Sequence, residues 1–267
     1  MKSIRELQSL EGRNAVVTGA LGHLGQVLTK TLALLGANLI LIDQDETRLN
    51  LFADSIKREF GSRVVCYFCD LEIESSRQKM IDSVLTEFSS MSILINNAAF
   101  VGTSSLKGWA VPFLLQDRQT WRRAIEVNLT AAFHLSQGLS SLLKQSPGAS
   151  IINIGSIYGE CAPDFSLYEN TDLGNPAAYA VSKAGLLQLT RWLSTALAPN
   201  VRVNAISPGG ILRDQPQIFR EKYMAKTPMG RMGTEEDMIG AVVLLATDLS
   251  AYITGQNLKV DGGWSTW

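Results

Sequence analysis

The amino-acid sequence predicts a single α/β domain, a doubly wound and mostly parallel seven-stranded sheet with helices on both faces. Three observations carry this. Short, nearly unbroken apolar runs recur along the chain, as expected of strands covered on both faces. Amphipathic stretches of helical period separate them, and such alternation builds a parallel sheet. The first run leads straight into a glycine-rich turn that opens a helical pattern. At 267 residues the chain sits at the upper end of one domain. No Gly/Ser-rich linker, internal repeat or low-complexity tract divides 1–267.

In order, Ala15–Val17, Leu39–Ile42, Val64–Phe68, Ile93–Ile95, Ile151–Ile154 and Val201–Ile206 read as buried strands. Helical patterns lie near 24–35, 46–60, 74–89, 117–144 and 177–197, and a last helix near 235–247 precedes a final strand near 256–260. Two segments break the rhythm: Phe100–Gln116 after the fourth strand and Ile157–Asn175 after the fifth. Irregular loops of this length in a compact domain are functional or disordered, and their apolar and aromatic content argues against disorder. In an open α/β sheet both would emerge at the carboxyl ends of the strands, where ligands bind.

A net charge of −1 leaves no electrostatic footprint for nucleic acid or an anionic membrane. No apolar run is long enough to span a bilayer, and the N-terminus lacks a signal peptide's apolar core, so a cytoplasmic protein is expected. Three cysteines fit a reducing compartment. Cys66 and Cys69 have CxxC spacing, but on a strand i and i+3 point apart, so buried structural thiols are expected. No metal site is expected, because neither His23 nor His134 has a second ligand at usable spacing. Cys161 has no paired base for a nucleophilic role.

The turn Thr18-Gly19-Ala20-Leu21-Gly22-His23-Leu24-Gly25 has the chemistry of a pyrophosphate cradle. Glycines allow a tight turn and close backbone approach, and the helix N-terminus adds free N–H groups and a positive dipole end. Asp43 closes the second strand 18 residues past Gly25, where a carboxylate accepts from ribose hydroxyls and repels a 2′-phosphate. With no Arg or Lys in 18–29, the cofactor expected is NAD rather than NADP. Asp43 could instead cap the following helix, a role open equally to Asp45. His23 would face a phosphate.

Tyr179 and Lys183 stand one helical turn apart at the start of a helix. A tyrosine pKa near 10 is too high for a base at neutral pH, and a neighbouring ammonium with an oxidised nicotinamide would lower it. Ser156 closes the fifth strand and can hydrogen-bond a reacting oxygen. Taken alone, a Tyr and a Lys at this spacing are more often a surface pair.

The ordered set resembles the short-chain dehydrogenase/reductase family over essentially the whole chain. The matching motifs are the TGALGHLG turn, CDLE at Asp70, NNAA at Asn96–Ala99, Asn128 in EVNLTAAF, Ser156, Tyr179-xxx-Lys183, SPGGI at Ser207–Ile211 and the TGQNLKVDGG tail. The resemblance implies a Rossmann-type fold and Tyr179 as general acid/base. Lys183 would hold the nicotinamide ribose and lower the tyrosine pKa, Ser156 would polarise the substrate oxygen, and Asn128 would anchor a water leading from Lys183 to solvent. Asp70 and Leu71 would contact adenine. Asn97, with Ala98 and Ala99, would steady the sheet beside the cofactor, and Pro208, Gly209 and Ile211 would line the nicotinamide side. Arg213–Lys226 would form a lid that orders on substrate binding. The helices near 117–144 and 177–197 and the GQNLKVDGGWSTW tail would serve as interfaces of a homotetramer, a dimer of dimers.

The chain departs from the family's shorter branch in two places. Its glycines are spaced TGxxGxxG, as in the extended branch, and Tyr179 follows Ser156 by 23 residues, which enlarges the intervening loop. NNAA, SPGGI and DGG belong to the shorter branch, and the extended branch's C-terminal domain is missing. With loops near 100–116, 157–175 and 208–230, the mosaic reads as a short-form enzyme that accepts a polar, sugar-like small molecule, similar to reductases of bacterial surface-sugar pathways. Trp109, Phe113, Phe165 and Tyr168 could stack on a ring or anchor the loops, and Lys107, Arg213 and Arg220 could meet a phosphate or be solvated. His134 would be packing or interface. The function expected is hydride transfer between NAD(P) and a secondary alcohol or ketone. The alternatives are a non-redox nucleotide-sugar epimerase or dehydratase, and a catalytically silent dinucleotide-binding regulator.

Overall fold

The computed structural model describes residues 1–101 and 106–267. Residues 102–105 of the first expected loop lie outside the described residues.

After a short helix α1 (Ile4–Gln8), the chain runs β1 (Asn14–Thr18), α2 (His23–Leu34), β2 (Asn38–Asp43), α3 (Glu46–Phe60), β3 (Val64–Phe68), α4 (Glu74–Glu87) and β4 (Ile93–Asn96). It continues with α5 (Arg118–Ile125), a π-helical turn (Glu126–Thr130), α6 (Ala131–Gly138), α7 (Ser140–Lys144), β5 (Ala149–Ile154), α8 (Ala177–Ala196) and β6 (Val201–Pro208). The last elements are α9 (Gln217–Lys226), α10 (Ile239–Ala246) and β7 (Asn257–Val260). The strands form one parallel sheet in the order β3-β2-β1-β4-β5-β6-β7. The order reverses between β1 and β4, which opens a crevice beyond their carboxyl ends.

Alternation along each strand divides the core. Ala15, Val17, Leu39 and Leu41 pack on one face with Leu28, Leu32, Leu49 and Ile56 of α2 and α3. Val16, Ile40 and Ile42 pack on the other with Met80, Ile81 and Val84 of α4 and Leu135 of α6. Both faces are buried, so the strands read as continuous apolar runs.

The strands and the helices near 46–60 and 177–197 fall where the sequence places them. The helix expected over 117–144 is interrupted. Asp117 caps α5 by accepting from the amides of Gln119 and Thr120, each at 2.9 Å. The π-turn then inserts an extra residue, and Leu139 separates α6 from α7 with φ −97°. The expected lid segment contains α9, held by buried Phe219 and Tyr223, a helix the periodicity did not announce.

The Ile157–Asn175 loop is pinned by an aromatic ladder with partners from α9 and the C-terminus. Tyr168 lies 5.5 Å from Phe219, Phe219 5.9 Å from Tyr223, and Tyr223 5.8 Å from Trp264. Tyr158 meets Trp264 edge-on at 6.2 Å. Cys69 is buried and Cys66 half-buried, and burial pushes both thiols up. No helix among the described residues is long and apolar enough to cross a membrane.

Candidate active site

A cleft of about 770 Å³ opens at the switch point. Its floor is the turn after β1. Gly19 takes φ +63°, and a Cβ there would sit 2.8 Å from the Ala98 Cα. A Cβ on Gly25 would sit 2.0 Å from the Gly19 carbonyl oxygen, so glycine at these positions lets α2 pack beneath the turn. Gly22 is the N-cap of α2, and His23 opens the helix on the cleft side. The first amides of a helix lack intrahelical partners and, with the dipole, suit an anion.

Asp43 accepts from the Leu21 amide at 2.9 Å through Oδ2 and from the Gln44 amide at 2.8 Å through Oδ1. The cap of α3 is Asp45, which accepts from the Arg48 amide at 2.9 Å. That leaves Asp43 on the rim of the cleft, beside Arg48. Across it stand Asp70 and Leu71. Asn97 ties β4 to the glycine turn: its amide nitrogen Nδ2 donates to the carbonyls of Thr18 (2.9 Å) and Gly19 (3.0 Å). Ala98, Ala99, Leu24, Pro208, Gly209 and Ile211 line the same cleft, as do Ser156, Tyr179 and Lys183. Every residue the sequence assigns to the cofactor therefore borders one cavity.

Ser156 follows β5 and its hydroxyl accepts from the Tyr158 amide at 3.2 Å. Tyr179 lies in the first turn of α8. Lys183, one turn on, is 2 % exposed, donates to the Ile154 carbonyl at 2.7 Å and sits 5.8 Å from the centroid of the Tyr179 ring. Burial pushes the Tyr179 hydroxyl up, and a hydrogen bond from Ser156 opposes it. In the protein alone burial wins, so the expected lowering by Lys183 is not found there. The same burial brings Lys183 down to about 8. Asn128 lies behind the cleft rather than on its wall. Its Oδ1 accepts from the Phe100 amide at 2.5 Å and its Nδ2 donates to the Ser182 hydroxyl at 3.0 Å.

Several expected ring-stacking and phosphate contacts do not line the cleft. Trp109 is an anchor: it is buried against Phe100 at 5.2 Å, and its indole donates to the Val101 carbonyl at 2.6 Å. Tyr168 is held in the ladder, its hydroxyl 2.9 Å from that of Tyr158. Phe113 and Phe165 are exposed, the former beside a second hollow of about 340 Å³. Arg213 does line the cleft, paired with Glu235, whereas Lys107 and Arg220 do not. His134 packs against Arg77, as the packing alternative has it.

Arg48, Glu72, Phe100 and Arg123 also line the cleft, and sequence reasoning missed them. Arg48 had a signal, a base five residues past an acidic strand end. Arg123 had none, since it pairs with Glu72 at 2.8 Å and covers the Phe100 ring at 5.0 Å only through the fold.

A glycine cradle at a helix N-terminus, a carboxylate at the end of β2 and a Ser–Tyr–Lys group beyond β5 define a dinucleotide-dependent oxidoreductase. Such a cofactor fits the donors and the close backbone approaches that these residues supply. Residues 19–265 match the family model described as enoyl-(acyl carrier protein) reductase. The chain is 32% identical over 257 residues to a post-translational flagellin modification protein A of Campylobacter coli, covering 96% of this chain and 99% of that one. It is 30% identical to a galactitol 2-dehydrogenase of Cereibacter sphaeroides, covering 98% and 99%. A gluconate 5-dehydrogenase from Burkholderia cenocepacia, solved with NADP and tartrate, superposes with a TM-score of 0.87 at 25% identity over 99% of this chain and 100% of that one. The chain belongs to the short-chain dehydrogenase/reductase family. It is an NAD(P)-dependent oxidoreductase acting on alcohols and ketones.

Proposed function

We propose that the chain oxidises or reduces a polar, sugar-like secondary alcohol or ketone with NAD as the preferred cofactor. The observation that carries this is Tyr179, Ser156 and Lys183 gathered at one end of the cleft, with Asp43 at the other. A nicotinamide held beside Tyr179 and Lys183 would supply the hydride acceptor or donor for the substrate carbon. The chain's part is the proton. Tyr179 takes it from the substrate hydroxyl in the oxidative direction and returns it in reduction. The Ser156 hydroxyl orients the substrate oxygen, and its hydrogen bond stabilises the tyrosinate. Lys183, still largely charged at neutral pH, holds the ribose and adds a positive charge one helical turn from the phenol. Asn128 would order a water that passes the proton from Lys183 outward.

Asp43 accepts from the adenosine ribose and repels a 2′-phosphate, so NADP would bind more weakly, by a margin that the attraction of Arg48 on the same rim reduces. The enlarged 157–175 loop and the galactitol and gluconate dehydrogenases among the relatives favour a polyol-type substrate. Exposed Trp121, Phe133, Val181 and Trp192 on α5, α6 and α8 favour association of these helices in a homo-oligomer, for which we take the tetramer.

Wild type and Tyr179→Phe would be titrated with NADH and NADPH, then assayed on sugars, polyols and simple alcohols. The expected result is tighter NADH binding in both proteins and a loss of turnover of about 10²–10⁴-fold in the variant. Retained turnover in Tyr179→Phe would remove the tyrosine from the mechanism, and NADPH preference would overturn the role of Asp43.

A further inference from the structure

Behind the adenine end of the cleft lies a fully buried arginine. Arg77, in the first turn of α4, is 1 % exposed. A guanidinium taken out of water is tolerated only when paired and hydrogen-bonded. Its acceptors come from two segments, the turn before α4 and the helical run of the π-turn and α6. One Nη donates to the Leu71 carbonyl, the other to Glu126 Oε1 at 2.6 Å, and Nε donates to His134 Nδ1 at 3.2 Å. Because His134 accepts on Nδ1, its proton sits on Nε2, which faces Gln78 Oε1 at 3.1 Å.

Two of these partners border functional positions. Leu71 lines the cleft opposite Asp43. Glu126 opens the π-turn that carries Asn128 two residues later. The regular helical hydrogen-bond ladder is interrupted in that turn, so its phase depends on what pins it from outside. A second bridge, Arg123 to Glu72, runs alongside, but its side chains are 39% and 31% exposed and such a pair is weakened by water.

We propose that Arg77 is a positioning residue for the reaction. Its planar fork clamps the adenine-side turn to the π-turn, so one contact sets both the adenine wall of the cleft and the placement of Asn128. The inference rests on the reading of Asn128 as part of the proton path.

Arg77→Lys keeps a charge that reaches Glu126 but loses the fork. The variant, Asn128→Ala and the double variant would be compared with wild type well below their melting temperatures. In Arg77→Lys, kcat is expected to fall about tenfold and the NADH Kd to weaken several-fold, as for neighbouring groups in one network. The double variant is expected to be no slower than Asn128→Ala. A purely structural role would lower the melting temperature without this non-additivity. Wild-type kcat and Kd in Arg77→Lys, or additive losses in the double variant, overturn the clamp. Where Arg77→Lys does not fold, Glu126→Gln, which retains size and one hydrogen bond, takes its place in the cycle: non-additive losses support the clamp and additive losses overturn it. If Asn128→Ala leaves kcat unchanged, the reading of Asn128 fails instead. Fluorescence titration then decides the clamp: weakened NADH binding in Arg77→Lys supports it, and unchanged binding overturns it.

Discussion

The two walls of the cleft are made of different material. From β3 to β4 in the sheet the wall is held on the main chain: the Gly19 turn, the Asn97 side chain on two main-chain carbonyls, and Asp43 fastened by the amides of Leu21 and Gln44. From β5 to the C-terminus the wall rests on side chains, the ladder Tyr168–Phe219–Tyr223–Trp264 with Tyr158 against it. Backbone geometry is set by a few residues close in sequence. A ladder is set by packing among residues far apart in sequence, such as Tyr158 and Trp264. The first wall suits a cofactor of constant shape, while the second is braced by rings that stand behind the lining of the cleft.

Four variants would break or sharpen this contrast. The largest effect is expected in the ladder, where Phe219→Ala should cost about 3–5 kcal/mol of stability, as deletion of a buried aromatic does. Denaturant melts would measure it, and NADH affinity should stay within a few-fold. A matching loss of NADH affinity would mean that the walls are not independent.

Lys183, at the seam between them, gives a pH test. Its pKa is lowered by burial to about 8 in the folded chain and returns to about 10.5 on unfolding. The unfolded chain thus binds more protons between those values, and this group makes stability rise with pH across that window. The difference between wild type and Lys183→Met should follow that rise, by about 3 kcal/mol. A pH-independent difference would contradict the buried lysine.

On the backbone wall, Gly19→Val forces a branched residue into φ +63° and its Cβ towards Ala98. NADH binding should weaken by about a hundredfold, roughly 2.7 kcal/mol. Calorimetry showing wild-type affinity would remove the cradle. The smallest effect is expected at Phe165→Ala: this ring is 65% exposed at the ladder's open end, and its removal should change stability by less than about 0.5 kcal/mol. A larger loss would extend the ladder to the surface.

The same contrast explains which features were legible. The glycine turn, Asp43 and the Tyr179–Lys183 spacing each lie within one strand–turn–helix unit, so local pattern exposed them. Asp45 competed with Asp43 as a cap, and only the Arg48 amide bond decided between them. Trp109 and Tyr168 looked like substrate platforms because their partners, Phe100 and Val101 for one and Tyr158 and Phe219 for the other, are not implied by local spacing. The break at Glu126–Thr130 was invisible because the apolar period continues through it, and the bonds its side chains make to Arg77, Phe100 and Ser182 are not implied by local spacing.

The sequence by itself determined the parallel sheet, the glycine turn and the Tyr179–Lys183 pair, because periodicity, glycine and helical spacing act within a few residues of chain. Only the tertiary structure decided that Arg77 is buried between the turn before α4 and the helical run that carries Glu126 and His134, that Asn128 stands behind the cleft wall, and that Tyr179 sits where burial raises its pKa. Desolvation and long-range hydrogen bonding depend on what surrounds a group, and the surroundings here come from the far side of the fold.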